Sequence, residues 1–463
     1  MNDNYFLQQQ QDVEELSLND KGVYQLPDDV FSRFTNLKSL NLSHCSLETL
    51  PSSLFNIQSL ESLDISDNDF SFIPVEIGCL KSLTKLNFSD NPFKNSQYND
   101  LYSIDFFKSI MSEKNKPAPR VFDPLLSLPN KKYFKLVSYN ILAPQFVNSS
   151  FFPFSPQKYL DSKYRIPLIK DEIVRLTPDI VCLQEVDENI FQNDLNPFFT
   201  SKNFTGVFFS KSNTGAGQAT FIHKNSFVLV GSHTLELRTH RLASTLSNYN
   251  ELSRHLSCAV ITLLKSYKHD IYIVVVNIHL YYKREAHEIR TSQLYLAIMA
   301  AIEFAHSKEI FQYDIIISGD FNSTLDQQPL IFLQNNTIDR FFNSYQVLNH
   351  NPEITRYDII NYSAIDFIFS TIYGIQPVSV LPVDTENIKN NYAGLPGQYY
   401  PSDHSSIATI FEFKSRRFYP PPRYVPPSPV AQEKTETPKN PDLNVTIVKP
   451  NKDKKIVFQL KKH

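Results

Sequence analysis

Between Tyr133 and Phe413, six apolar runs end in, or carry, side chains able to do acid–base or metal chemistry. Lys135–Tyr139 leads into Asn140, and Ile180–Leu183 into Gln184-Glu185. Ile273–Val276 leads into Asn277-x-His279, and Ile315–Ser318 into Gly319-Asp320-Phe321-Asn322. Asp366 interrupts the run Ile365–Phe369, and Asp403-His404 opens the last run. Any one of these is an ordinary turn former. Six together are not, because an unpaired carboxylate inside an apolar run is costly to bury. The pattern therefore predicts that these groups converge and satisfy one another or a metal ion.

The elements that must position them are apolar, β-rich runs alternating with helical stretches. Predicted strands are Phe134–Leu142, Asp179–Val186, Gly206–Ser210, Ala219–His223, Ser257–Lys265, Tyr272–Leu280, Asp314–Phe321, Ala364–Ser370 and Ile407–Phe413. Helical periodicity is clearest after Arg290, and Lys163–Leu176 reads as a second helix ended by Thr177-Pro178. Many strands with few helices indicate two packed sheets covered by helices. Gly215-Ala216-Gly217 lacks the Lys-Ser/Thr of a phosphate loop and reads as a hairpin turn. Gly319 permits close approach, either at the mouth of a site or between strands.

The front of the chain repeats. Leu37-x-x-Leu40-x-Leu42 recurs as Leu60-x-x-Leu63-x-Ile65 and Leu83-x-x-Leu86-x-Phe88, with a period of 23 residues. Asn68 and Asn91 occupy one slot of the repeat, Cys45 fills it in the earlier copy, and Leu16-x-Leu18 is a degenerate first copy. Such a solenoid makes a docking surface and carries no catalytic chemistry. Residues 1–97 hold six Lys/Arg against fourteen Asp/Glu, a poor surface for nucleic acid and a better one for a protein partner. Residues 414–463 hold twelve Lys/Arg against four Asp/Glu and a proline cluster at 420–429, which reads as a disordered basic tail. Four cysteines in 463 residues are no disulfide framework. With no run of 18 apolar residues and no basic-then-apolar start, neither a membrane span nor a secretory signal is expected, and the default location is cytoplasmic, with the nucleus as a second site. The expected organisation is repeats over 10–96, a linker over 97–132, a catalytic domain over 133–413 and the tail over 414–463.

The segments SYN (Ser138–Asn140), CLQEV (Cys182–Val186), NIHLY (Asn277–Tyr281), GDFNS (Gly319–Ser323), IDFIF (Ile365–Phe369) and SDH (Ser402–His404) resemble the endonuclease/exonuclease/phosphatase superfamily. Its DNase I-like fold is a four-layer α/β sandwich. Tyr139–Leu142, Tyr164-Arg165, Gly217–Phe221 and Ile289-Arg290-x-x-Gln293 are similar to the deadenylase branch, and repeats ahead of such a nuclease resemble the Ccr–Not enzyme. The resemblance implies Glu185 as principal metal ligand, with Asn140 and Asp403 nearby. It implies Asp320 as the group that deprotonates the attacking water, Asn322 holding water or a phosphate oxygen, and His404 and His279 bonding the phosphoryl oxygens. Asp366 would orient His404. Hard oxygen ligands without a cysteine indicate Mg²⁺, with Mn²⁺ as the alternative.

Substrate contacts are expected from Tyr362 and Tyr281 as platforms for a base, and from Lys283, Arg284 and Arg290. The branch places a proline shortly after the His-Leu-Tyr motif, and none follows here. The leading expectation is a Mg²⁺-dependent 3′→5′ exoribonuclease acting on mRNA poly(A), docked through its repeats to a second deadenylase or scaffold of a Ccr–Not-like complex. The missing proline motivates a 2′,5′-oligoadenylate phosphodiesterase as the alternative. A repeat scaffold with an inactive nuclease is the third reading.

Overall fold

The computed structural model describes residues 13–19, 25–93, 101–122, 133–148, 150–211, 214–335 and 339–415. The basic tail from 416 onward, and the parts of the expected linker at 97–100 and 123–132, lie outside the described residues. The chain forms two compact units. One comprises Met1–Pro117 with Val147–Arg165 and Lys389–Pro401, the other Ala118–Phe146 with Ile166–Ile388 and Ser402–His463.

In the first unit, β1 (Glu15–Ser17), β2 (Ser39–Asn41), β3 (Ser62–Asp64) and β4 (Lys85–Asn87) pair in parallel. The register steps from one repeat to the next, Leu16 opposite Leu40, Leu40 opposite Leu63 and Leu63 opposite Leu86. The asparagine slot behaves as its chemistry requires. Asn68 Oδ1 accepts from the Cys45 and Leu47 amides, while its Nδ2 donates to the Leu42 carbonyl at 2.8 Å. Cys45, in the same slot one repeat earlier, has only a thiol to offer and donates it to the Leu18 carbonyl at 3.2 Å. Cys79 is half-buried, whereas the other three cysteines are buried.

The second unit contains two six-stranded sheets among its described residues. The first runs β17 (Ile375–Val380), β18 (Ile407–Phe413), β5 (Tyr133–Asn140), β6 (Ile180–Asp187), β8 (Ala216–His223), β7 (Phe204–Ser210). The second runs β13 (Phe342–Asn343), β16 (Asp366–Ser370), β12 (Tyr313–Asp320), β11 (Tyr272–His279), β10 (Cys258–Ser266), β9 (Phe227–Glu236). Alternation along each central strand sends successive residues to opposite faces. Leu136, Ile180, Cys182, Ile273, Val275, Ile316 and Ile368 meet between the sheets. Val181 and Leu183 face the other way, with Ile166, Ile169 and Ile173 of helix Ser162–Leu176. Val274, Val276, Ile315 and Ile317 pack with Leu294, Ile298 and Ala301 of helix His287–Ser307. Helix, sheet, sheet, helix: four layers, in which strands buried on both faces read as unbroken apolar runs.

Of the strands of the two sheets, the sequence pattern marks all but β9, β13 and β17. All three are edge strands; β9 alternates exposed with half-buried residues, and β13 has two residues. Of the expected turn Gly215-Ala216-Gly217, only Gly215, with φ +67°, lies ahead of β8; Ala216 and Gly217 are already strand, Gly217 opposite Ser210 of the antiparallel β7. Gly319, in β12, has φ +147°, and a Cβ there would sit 1.9 Å from the Ile278 carbonyl oxygen of the adjacent β11. Its role is therefore the close approach between strands. Gly319→Ala is expected to destabilise the protein by about 3 kcal/mol, read as a lowered urea midpoint at unchanged slope.

Candidate active site

The inter-sheet face of each central strand turns from apolar to polar at one end. Leu136 is followed on the same face by Ser138 and Asn140, Cys182 by Gln184, Val275 by Asn277 and His279, and Ile316 by Ser318 and Asp320. Asp366 precedes Ile368 on that face of β16, and its register partner on β12 is Asp320. Because β5 pairs in parallel with β6, and β11 with β12, these polar ends gather at one end of the cleft. The antiparallel strands β16 and β18 bring Asp366 and Ser402–His404 to it from their starts.

Gln184 and Asn277 bolt the sheets together below the site. Gln184 Nε2 donates to Asn277 Oδ1 at 2.8 Å, and Asn277 Nδ2 donates to the Leu183 and Ala219 carbonyls at 3.1 and 3.0 Å. Both side chains are fully buried, so their amides are structural.

Glu185 breaks the alternation. Simple parity would turn it away from Gln184, but it sits at a register shift between Leu183 and Val186, with φ +53°. The bulge turns its carboxylate into the cleft. There Glu185 Oε1 accepts from Asn140 Nδ2 at 3.0 Å, and Oε2 accepts from the Ala143 amide at 3.2 Å. The same Asn140 amide donates to Asp320 Oδ2 at 3.1 Å. His279 Nε2 lies 3.5 Å from Asp320 Oδ2 and 4.0 Å from Glu185 Oε1.

On the other side, His404 Nδ1 bonds Asp366 Oδ2 at 2.7 Å, and the Thr355 hydroxyl donates to that oxygen at 2.6 Å. His404 Nε2 points toward Asp320 Oδ2 at 3.7 Å. Arg356 Nε donates to Asp403 Oδ2 at 3.2 Å, leaving Asp403 Oδ1 buried without a hydrogen-bond partner. Neither Thr355 nor Arg356 is singled out by the sequence. They arrive because Arg356, in the short β14 (Arg356–Tyr357), bridges His404, while β14 pairs with β15 (Tyr362–Ser363).

The electrostatics follow from burial and crowding. Burial, then the Asp366 charge, pushes the Asp320 carboxyl up to about 7. Burial, then Asp403, raises Glu185. Burial opposes the charge of His404, but Asp366, then Asp403 and Asp320, raise it to about 10. His279 goes the other way: burial, then Lys211 and His404, hold it well below its usual value and therefore neutral. The two histidines of the site are thus pushed toward opposite protonation states.

Ligand atoms of Asp320, Asp366 and His404 lie within 4.8 Å of one another, the spacing of a metal cage. Their chemistry argues against that use. Asp366, bonded to His404 Nδ1, favours the protonated ring, and a protonated Nε2 has no lone pair to give a metal. The donors that fit a hard cation are Glu185 and the unpartnered Asp403 oxygen, with Asn140 beside them. Arg356 and His404 pair with Asp403 and Asp366, while Glu185 and Asp320 have no cation hydrogen-bonded to them among the described residues and are raised by burial. A divalent cation bound here would offset that carboxylate charge.

Of the other expected residues, Asn322 has φ +47°, donates its amide to Asp320 Oδ1 at 2.8 Å and its side chain to the Leu280 carbonyl at 3.0 Å. Tyr362 is half exposed on β15. Tyr281 stacks on His255 with ring centroids 4.0 Å apart, while Lys283 and Arg284 are exposed. Arg290 is fully buried and bonds protein groups, so it presents no free face to a substrate.

Fold and site together define a two-sheet α/β sandwich whose cleft ends in a carboxylate–histidine cluster suited to a divalent cation. The chain belongs to the Endonuclease/Exonuclease/phosphatase family, whose pattern matches residues 137–404, and leucine-rich repeats match residues 11–70 and 35–93. It is 26% identical over 322 residues to 2′,5′-phosphodiesterase 12 of Bos taurus, covering 60% of this chain and 52% of that protein. It is 24% identical over 342 residues to the CCR4-Not complex 3′-5′-exoribonuclease subunit Ccr4 of Schizosaccharomyces pombe, covering 61% and 50%. The chain thus spans about half the length of the curated relatives it matches. A crystal structure of ANGEL2, a 2′,3′-cyclic phosphatase, in complex with adenosine-2′,3′-vanadate shares the fold, with a TM-score of 0.55, 19% identity, and coverage of 64% of this chain and 99% of that one.

Proposed function

We propose that the protein is a divalent-metal-dependent phosphodiesterase that removes nucleotides from the 3′ end of poly(A) RNA. The observation that carries the reading is one buried cleft end holding Glu185, Asn140, Asp320, His279, Asp366, Asp403 and His404, with one Asp403 oxygen left unpartnered. Phosphodiester hydrolysis has a very slow background, and such a cluster supplies what it lacks. Glu185 and Asp403, supported by Asn140, hold Mg²⁺ or Mn²⁺. When bound, the cation polarises the scissile phosphate and stabilises the leaving oxygen. Asp320, with its raised proton affinity, accepts the proton of the attacking water. Asn322, tied to Asp320 and Leu280, orients that water. The His404 cation, steered by Asp366, donates to a phosphoryl oxygen, and neutral His279 supplies a second donor. Tyr362, Tyr281, Lys283 and Arg284 meet the rest of the substrate.

The names of two relatives, a 3′-5′-exoribonuclease and a 2′,5′-phosphodiesterase, support the same bond chemistry with different linkages. The absence of a proline after His279-Leu-Tyr favours 2′,5′-oligoadenylate as the second reading. The repeats dock a protein partner, a second deadenylase or scaffold of a Ccr–Not-like complex. No helix among the described residues is long and apolar enough to cross a membrane, and we place the protein in the cytoplasm, with the nucleus as a second site.

Product analysis on poly(A), mixed-sequence RNA and 2′,5′-oligoadenylate in parallel tests the reading. Stepwise shortening of poly(A) to 5′-AMP with Mg²⁺, stopped by EDTA, is expected. Faster turnover of the 2′,5′ trimer than of the 3′,5′ trimer would move the assignment to the second reading, and inertness on every substrate would leave a repeat scaffold with an inactive nuclease.

A further inference from the structure

The buried Arg290 guanidinium has five partners. Nε donates to the Ser323 hydroxyl at 2.8 Å, Nη1 to the carbonyls of Tyr281 (3.2 Å) and Lys283, and Nη2 to the Arg284 carbonyl at 2.9 Å, with His287 Nδ1 also at 2.9 Å. Three residues along the same helix, Gln293 Oε1 accepts from the Tyr281 amide at 3.0 Å. Asn322 holds the Leu280 carbonyl. The backbone of 280–284 is thus held from inside, while Tyr282, Lys283 and Arg284 are left exposed.

We infer that Arg290, with Gln293 and Ser323, is a positioning residue that staples the 280–284 loop so that its exposed side chains meet the substrate chain beyond the scissile phosphate. The inference rests on the phosphodiesterase reading. A planar fork of five donors matches carbonyls that diverge along a turning backbone; a single ammonium does not. Ordering the loop during folding removes that cost from substrate binding, so the staple acts on affinity more than on chemistry.

The test uses the full chain carrying Arg290→Lys, Arg290→Gln or Gln293→Leu. Readouts are KM and kcat on oligoadenylate with Mg²⁺, anisotropy of labelled oligoadenylate in EDTA, and amide exchange of residues 281–284. Both Arg290 variants should raise KM by about tenfold, lysine rescuing no better than glutamine, while kcat moves by less than about threefold. Amide exchange in the loop should accelerate. Gln293→Leu should give a smaller rise in KM, with faster exchange at Tyr281, and answers the question if an Arg290 variant fails to fold. Lys283→Ala should cost affinity in the wild type and much less in Arg290→Gln, since the staple acts through the loop. Rescue of KM by lysine, unchanged loop exchange, or fully additive Lys283 and Arg290 effects would each overturn the staple. If the wild type neither binds nor cleaves oligoadenylate, the functional reading fails instead, and amide exchange alone decides whether the loop is stapled.

Discussion

Glu185→Gln is expected to lower kcat/KM on oligoadenylate by about 10³-fold while leaving the fold intact. The substitution removes the charge and keeps an oxygen to accept from Asn140, giving up only the long 3.2 Å bond from the Ala143 amide. Removal of one preorganised electrostatic group costs about 10²–10³-fold in comparable settings, and a principal metal ligand belongs at the upper end. The stability effect has the opposite sign. Burial and the neighbouring Asp403 raise the Glu185 carboxyl, so its charge is a burden on the metal-free fold. The metal-free variant should melt at or above the wild-type temperature, and the stabilisation that Mg²⁺ confers on the wild type should disappear. Thermal melts with and without Mg²⁺, beside initial rates, check both halves. A variant that retains the Mg²⁺ shift and full activity would place the cation elsewhere.

Asp366→Asn should lower the rate by about 10²–10³-fold at pH 8 and move both limbs of the pH profile to lower pH. The sign follows from the site. Asp320 must be ionised to accept a proton, so the wild-type rate rises with pH as its carboxyl, at about 7 without metal, loses its proton. A bound cation draws this limb lower. His404 must keep its proton, so the rate falls as pH approaches about 10. Asp366 is, after burial, the largest influence raising Asp320, and the strongest of those holding the proton on His404. Removing its charge therefore lets Asp320 ionise earlier and lets His404 go neutral earlier. The profile of kcat/KM against pH reads both shifts. An alkaline limb that stays near 10 in the variant would assign it to another group.

The repeats were legible because a solenoid's structure is its period: each copy buries its leucines only against the next, so the spacing itself encodes the register. The central strands were legible because burial on both faces leaves unbroken apolar runs. The edge strands β9 and β17 were not, since β9 shows a face to solvent and the β17 run is interrupted by Pro377 at a register shift.

The site divides in the same way. Strand alternation alone puts Asn140, His279 and Asp320 on the face that holds Leu136, Val275 and Ile316, so their convergence is written in the chain as a period of two. Glu185 has the wrong parity, and only the bulge at Leu183–Val186 brings it in. Arg356 reaches Asp403 through a bridge between segments 48 residues apart. Arg290 reads as a substrate contact until the folded loop turns its carbonyls onto it. Periodicity is a local property, and the sequence carries it. Which donor meets which acceptor depends on a bulge, a bridge or a loop turn, and those form only when distant segments have already packed.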